Sequence, residues 1–162
     1  MNSFTTNIEE TYNKFLQLNA KEMTGALKHA LVAGAKELKK QTIFNLDNSI
    51  LVKGTSMNDL HEGVFVGKVN GEYGEDLEIK VNIMGKKYFR GRDGRLRWLE
   101  KGTQERQNLT KNGSPLQKPR RTGSITGKFF FASAINEVFP LLDSIYLHEI
   151  DKAIDKVNKA KI

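Results

Sequence analysis

The chain of 162 residues lacks several features that mark common protein classes. It has no cysteine, which excludes disulfide bonds and thiolate metal sites. It has three prolines and one tryptophan, and no apolar run approaches the 18 residues typical of a membrane-spanning helix. Residues 1–10 have neither a basic segment nor an apolar segment, so we predict no signal peptide. Together these absences predict a soluble protein made in a cytoplasm.

The positive charge of the chain is concentrated in one region. The formal net charge is +7, yet residues 86–128 hold 13 Lys and Arg against three acids, a local balance of +10. The other residues hold 13 basic and 16 acidic side chains, a balance of -3. Regional charge of this kind steers association with anionic partners. The hydrophobic content of 38% is low, and fits a modest core or a subunit that completes its burial in an oligomer.

The N-terminal part of the chain predicts helix. Thr6 with Glu9, and Asn19 with Glu22, each have the spacing of a capping box, so the first helix either pauses near Asn19 or continues through it. The apolar positions that follow predict an amphipathic helix of about five turns that ends near Thr42.

The C-terminal part also predicts helix, over residues 132–161. Pro140 removes a backbone donor and disfavours helical geometry at the residue before it, so we expect a kink or a break there. Beyond it lies one apolar stripe, which would leave surface uncovered in a monomer and so predicts self-association. The residues of this stripe are Leu147, Ile150, Ile154 and Val157.

The middle of the chain predicts short strands. Residues 45–54 read as a connector with a short strand at 50–52, and residues 63–69 read as a further strand. Residues 77–84 alternate between apolar and polar, which is typical of a half-buried antiparallel strand. Asn70-Gly71 predicts the turn between these two.

These elements predict one α+β domain, residues 1–162. A small antiparallel sheet packs against a long N-terminal helix and a C-terminal helix, and a long basic loop projects from residues 86–127. Residues 1–20 form an N-terminal helical extension, 21–145 the core and 146–162 a C-terminal helical tail. Residues 104–126 have few apolar anchors, so we expect a mobile loop that trypsin cuts first.

The residues that usually carry catalysis form no pattern here. His29, His61 and His148 are scattered, without carboxylates at metal-ligand spacing. The segment 123–128 lacks the spacing and the preceding strand of a phosphate loop. We therefore predict no enzyme and no catalytic or metal-binding residues, and rank a nuclease behind the two functions given at the end of this section.

One segment interleaves cations with aromatic side chains and has three interpretations. It binds nucleic acid through phosphates and stacking, it binds an acidic protein surface, or it is a solvated hairpin whose alternate residues, Leu96 and Trp98, face the core. The aromatic members are Tyr88, Phe89 and Trp98. The candidate interaction residues are Arg90, Arg92, Arg95, Arg97, Arg120 and Arg121.

Two motifs bracket the predicted loop. The first is Trp98-Leu99-Glu100-Lys101-Gly102-Thr103, in which the glycine is most useful where the backbone needs a positive φ. The second is Phe129-Phe130-Phe131-Ala132, which opens the last helix.

The order of helix, strands, first motif, polar loop and second motif resembles the tail-component family of long-tailed bacteriophages. These are neck or tail-completion proteins, typified by the tenth gene product of a lambdoid phage. The resemblance spans roughly residues 22–145. It implies that Trp98, Leu99, Gly102 and Thr103 position the exit from the sheet into the loop. It also implies that Phe129, Phe130 and Ala132 dock the far end of the loop.

The resemblance implies a structural role in tail completion or head–tail joining, at the head–tail junction or the tail end of a phage or prophage. The chain would act as a ring-forming subunit, with no catalytic residues and no cofactor. Its partners would be other tail or connector proteins, with weak non-specific DNA contact and no membrane. It would be located in the virion, and in the host cytoplasm during assembly. The alternative is a small basic nucleic-acid-binding protein that uses residues 86–121.

Overall fold

The computed structural model describes residues 12–13, 15–16, 18–49, 57–72, 76–83, 94–104, 112 and 123–160. The fold is α+β, mostly helical with a small antiparallel sheet of two strands, which confirms the predicted fold class. In chain order the elements are α1 (Ala20–Ser49), α2 (Met57–Glu62), β1 (Val64–Val66), β2 (Val81–Ile83), α3 (Arg95–Lys101), α4 (Phe130–Val138), a 3₁₀ turn (Phe139–Leu141) and α5 (Leu142–Ala160).

Helix α1 begins at the capping box that the sequence predicts. The Glu22 N–H donates to Asn19 Oδ1 and the Asn19 N–H donates to Glu22 Oε2, both at 3.0 Å. The helix runs for 30 residues, so the prediction that it ends near Thr42 is wrong. Thr42 and Leu46 are fully buried and continue its inner face to Ser49, which makes residues 45–49 of the predicted connector helical. The Thr6–Glu9 box and the strand at 50–52 lie outside the described residues.

The strands are shorter than predicted, three residues each in place of 63–69 and 77–84. Exposure still alternates from Asp76 to Val81, as the sequence pattern indicates. Beyond the strands, the Gly67 N–H donates to the Lys80 carbonyl at 2.8 Å, and Asn70 and Glu78 form an isolated antiparallel bridge. Gly71 has φ 92°, and a Cβ there would lie 2.5 Å from the Asp76 carbonyl oxygen, so this position requires glycine.

The break predicted at Pro140 is confirmed, because this residue lies in the 3₁₀ turn between α4 and α5. The helix begins at Phe130, two residues before the predicted start. The helical stretch Phe130–Lys159 is long and apolar enough to cross a membrane by length and composition, with a mean hydropathy of 1.2 over its most apolar window. Core helices of soluble proteins pass the same test.

The chain divides into two compact units. The first takes its described residues from Met1–Gln41, Val66–Asn82 and Ile135–Ile162. Its core is a cluster of Leu18, Ala26 and Ile154, against which five half-buried side chains pack: Phe15, Met23, Ile150, Ala153 and Val157. Most of the C-terminal stripe is therefore covered inside this unit, and the stripe is wrong as a reason for self-association.

The second unit takes its described residues from Thr42–Phe65 and Ile83–Ala134. Its core joins one side chain from each of five elements, α1, α2, β1, α3 and α4. These are Leu46, Leu60, Val64, Leu96 and Phe130, none more than 2% exposed. The single domain of 162 residues, with its boundaries at 20 and 145, stays a prediction.

Candidate functional site

The two motifs that bracket the predicted loop meet in the second unit. The backbone N–H of Lys128 donates to the carbonyl of Leu99 at 2.8 Å, and the N–H of Phe129 donates to the carbonyl of Glu100 at 3.1 Å. Residues 99–103 thus lie directly beside residues 125–132. We call this paired segment the clasp.

Thr103 and Ile125 close the outer end of the clasp. The Thr103 N–H donates to the Ile125 carbonyl at 2.8 Å, and the Ile125 N–H donates to Thr103 Oγ1 at 3.1 Å. These two bonds join the ends of the intervening chain, residues 104–124. Most of that chain, including the predicted trypsin sites, lies outside the described residues.

Glu100 connects the clasp to helix α4. Its side chain is 6% exposed, and its two carboxylate oxygens accept the N–H groups of Phe131 at 2.8 Å and Ala132 at 3.0 Å. These N–H groups belong to the first turn of α4, where no intrahelical acceptor exists. The positive end of the helix dipole also favours a carboxylate there. Glu100 therefore caps a helix that begins 30 residues further along the chain.

This capping role was missed by the sequence analysis. The residue that precedes α4 is the sequence signal that could have revealed this role. Phe129 is the N-cap, since its carbonyl accepts the Ser133 N–H at 2.9 Å, and a phenylalanine has no side-chain acceptor. A strong helix start without Ser, Thr, Asp or Asn indicates that another part of the chain must supply the acceptor.

Gly102 makes the close approach of the two clasp segments feasible. It has φ 77° and ends α3, with its N–H donating to the Trp98 carbonyl at 2.7 Å. A Cβ on this residue would lie 2.6 Å from the Ile125 carbonyl oxygen and 2.7 Å from the Gly127 nitrogen. The positive φ expected at this glycine is confirmed.

The hairpin interpretation of the segment with interleaved cations and aromatic side chains is wrong over residues 95–98, because Arg95–Lys101 is a helix. Leu96 and Glu100 are buried and Leu99 packs on the core, which is helical spacing rather than alternation. Trp98 is 42% exposed, and its indole lies 3.2 to 3.3 Å from where a Cβ on Gly94 would stand. Trp98 and Leu99 therefore do not mark an exit from the sheet.

The second motif is divided between the core and the surface. Phe130 is 1% exposed and fills the core of the second unit, whereas Phe129 is 57% exposed. Ala132 is also exposed, while its N–H is held by Glu100.

Cations dominate the described surface around the clasp. Arg95 is half-buried, and Arg97, Lys101 and Lys128 are exposed. In residues 94–104 and 123–132 the only acidic residue is Glu100, which is buried. Four predicted interaction residues lie outside the described part of the chain: Arg90, Arg92, Arg120 and Arg121.

The histidines make no metal site where the structure can be described. His61 Nε2 lies 2.6 Å from Asp47 Oδ1 and ties α2 to α1, which is a structural role. Among the described residues, no group of three or more His, Cys, Asp or Glu side chains could hold a metal ion.

An open groove of about 410 Å³ lies between α1 and α5 in the first unit. Lys152 Nζ donates to Glu149 Oε1 at 2.7 Å, and this hydrogen bond lowers the pKa of the Glu149 carboxyl. The small apolar side chains of Ala26 and Ala153 line the groove together with the ion pair between Lys152 and Glu149.

Comparison of the chain with protein-family models, with curated proteins and with solved structures finds no match. The likeness to phage tail components therefore rests on the residues and the order of elements described above.

Proposed function

We propose that this chain is a structural tail component of a phage or prophage, acting in tail completion or head–tail joining as a ring-forming subunit. The observation that carries the proposal is the clasp. The two segments on which the resemblance rests are 25 residues or more apart in sequence, yet they bind each other through backbone hydrogen bonds. A loop held at its base on a packed core is a common way to present a binding segment.

The chemistry at the clasp favours binding over catalysis. Both oxygens of Glu100 are engaged by backbone N–H groups, so its carboxylate is not placed to exchange protons with a substrate. The other functional groups at this surface are cations and aromatic rings, which are typical of interfaces.

The C-terminal stripe does not support the proposed ring, because most of it is covered inside the first unit. The ring draws support from apolar side chains that remain exposed in each unit. Phe139 is 72% exposed and Leu141 52% in the first unit, and Phe44 is 59% exposed in the second. Exposed apolar side chains of this size are typical of protein contacts when they cluster.

The proposal is tested by deleting the gene in the phage or prophage that encodes the chain and examining the particles by electron microscopy. We expect filled heads and tails that are separate, and joined particles once the gene is supplied in trans. Particles that assemble normally without the gene would contradict the proposal.

The alternative function, a small basic nucleic-acid-binding protein, is favoured by the +10 charge of residues 86–128. It demands an affinity for duplex DNA that falls steeply with salt, with a smaller slope after Arg90, Arg92, Arg95 and Arg97 are replaced by Gln. The tail proposal expects only weak, sequence-blind binding. Tight sequence-specific binding would replace it with this alternative.

A further inference from the structure

Phe129 has a backbone that does not suit a phenylalanine. Its φ is 50°, and it is the only non-glycine residue with a positive φ in the described part of the chain. The left-handed region is unfavourable for residues with a bulky side chain, whereas Gly, Asn and Asp enter it readily. The same position is the N-cap of α4, where Asn, Asp, Ser or Thr would each supply an acceptor.

Folding does not explain the choice of phenylalanine at this position. The side chain is 57% exposed, so most of its ring contributes no burial, and it cannot cap the helix. An asparagine would suit the positive φ better, and the N–H groups of the first turn are already capped by Glu100. Backbone strain that other residues hold in place is often found at binding surfaces. Here the restraint comes from the clasp, since the Phe129 N–H is bound by the Glu100 carbonyl.

The surroundings of Phe129 are cationic and carry a second exposed aromatic ring. Lys128 is adjacent in sequence and exposed, and Lys101 is brought next to it because Gly127 packs against the Lys101 backbone. Trp98 is 42% exposed and lies one residue before Leu99, which binds the Lys128 N–H. No exposed carboxylate occurs in residues 94–104 or 123–129.

We propose that this clasp face, formed by Trp98, Lys101, Lys128 and Phe129, docks an acidic protein surface that has an apolar pocket for the Phe129 ring. The inference rests on the proposed function, because it assigns the surface through which the chain joins another component of the particle. Phe129 is the anchor, the lysines pair with carboxylates at the rim of the pocket, and the clasp fixes the anchor before binding. A rigid anchor loses little conformational freedom on association, which favours tight binding.

A protein partner fits this surface better than a nucleic acid. A DNA duplex keeps its base faces stacked, so an exposed phenyl ring gains little from it unless the ring kinks the helix. Single strands are bound on successive stacking platforms, whereas here the Gly94 backbone lies against the Trp98 indole. Aromatic anchors in a rim of charged groups are typical of the energetic centres of protein interfaces.

The first test replaces Phe129 with Asn and compares it with Tyr12→Asn, which removes an aromatic ring of similar exposure, 59%, from the first unit. The probes are heads and tails purified separately from the deletion strain, and binding is measured by cosedimentation with the purified chain. We expect Phe129→Asn to keep or raise the melting temperature and to weaken particle binding by roughly thirtyfold or more, the loss typical of an anchor residue. Tyr12→Asn should change this binding less than threefold.

The second test reverses charge without touching the strained backbone. Lys101→Glu with Lys128→Glu should weaken particle binding, and the remaining affinity should depend less on salt. The matched control is Lys156→Glu with Lys159→Glu on α5, which makes the same change in net charge and should leave binding nearly unchanged. Because all four lysines are exposed, we expect each double variant to fold.

The outcomes separate this inference from the function on which it rests. If the gene deletion leaves particles intact, the proposed function fails and the inference with it. If deletion separates heads from tails, but Phe129→Asn and the Lys101/Lys128 double variant restore joining as well as wild type, only the inference fails. Variants that lose affinity for a random DNA duplex yet bind particles normally would assign the face to nucleic acid and overturn the protein partner.

Discussion

The two compact units bury their cores in different ways. The core of the first is built around α1 and α5, whose small and medium side chains Ala26 and Ile154 meet over several turns. The core of the second takes single side chains from five elements, two of which are helices of only six and seven residues. The core of the first unit thus repeats side-chain contacts between the same two helices. In the core of the second unit, each of five elements contributes a single side chain.

This difference determines where the chain is most sensitive to amino-acid substitution. A helix pair can lose one contact and keep its neighbours, because adjacent turns make similar contacts. In the second unit the buried side chains and the clasp hydrogen bonds depend on one another. The largest effects of single substitutions should therefore fall in the second unit and at the clasp.

The largest effect is expected from Phe130→Ala. The side chain is 1% exposed in the core of the second unit, and removing it leaves a cavity that costs about 3 to 5 kcal/mol of unfolding free energy. The control is Phe139→Ala, which removes a ring that is 72% exposed and should leave the free energy within about 0.5 kcal/mol. Urea unfolding measures the free energy of unfolding of both variants. Equal losses of free energy would show that the core of the second unit does not depend on the Phe130 side chain.

The next largest effect is expected from a comparison of the same substitution, glycine to alanine, at two positions. Gly102→Ala places a methyl group 2.6 Å from a carbonyl oxygen at φ 77°, and should cost about 2 to 3 kcal/mol. Gly25→Ala adds a methyl group inside α1 where nothing lies within 4 Å, and should stabilise by about 0.5 to 1 kcal/mol. Thermal unfolding gives both values. A stable Gly102→Ala variant would mean that the clasp segments can separate freely.

Glu100→Gln should have a slightly smaller effect, a loss of about 2 kcal/mol. The amide has one acceptor oxygen where the carboxylate offers two, so one N–H in the first turn of α4 loses its partner. Hydrogen exchange should report the loss as faster exchange at Phe131 or Ala132. Glu78→Gln on the exposed edge of the sheet serves as the control and should leave both the melting temperature and these exchange rates unchanged.

The smallest effect is expected from Lys152→Met in the first unit. The hydrogen bond from Lys152 is the main cause of the lowered Glu149 pKa, so its loss should raise that pKa toward the ordinary value, as NMR titration can measure. A lowered pKa stabilises the fold above the ordinary carboxyl pKa, and this contribution disappears as pH falls through the folded value. Because Lys152 and Glu149 form an i, i+3 pair with an exposed lysine, this contribution to the free energy of unfolding is about 0.3 kcal/mol at pH 7. An unchanged Glu149 pKa would contradict the assigned cause.

The same contrast decides how much of the fold could be predicted from the sequence. The capping box at Asn19, the break at Pro140 and the positive φ at Gly102 depend on local chemistry, and all three are confirmed. The end of α1 was placed too early because Thr42 and Asn45 read as a stop. Tertiary burial of Thr42 and Leu46 extends the helix past them.

The second unit was harder to predict because its elements are too short to show periodicity. In the seven residues of α3, Arg95 and Arg97 alternate with Leu96 and Trp98, and this alternation also fits a strand. In the helix, Leu96 and Glu100 share the buried face, and the Glu100 carboxylate reaches the start of α4. That contact joins residues about 30 apart, and a single sequence offers no pattern for it.

The clasp also has a consequence for how this chain can vary in length. Thr103 and Ile125 are hydrogen-bonded to each other, so the clasp holds the two ends of the intervening segment together. Closing a flexible loop becomes harder only slowly with length, and doubling the number of residues costs about 0.6 kcal/mol. A peptide tag inserted beside Asn112, in an exposed turn of this segment, should therefore leave the fold intact. We therefore expect that residues 104–124 could be lengthened, shortened or replaced to suit a different partner, while the clasp keeps their two ends together.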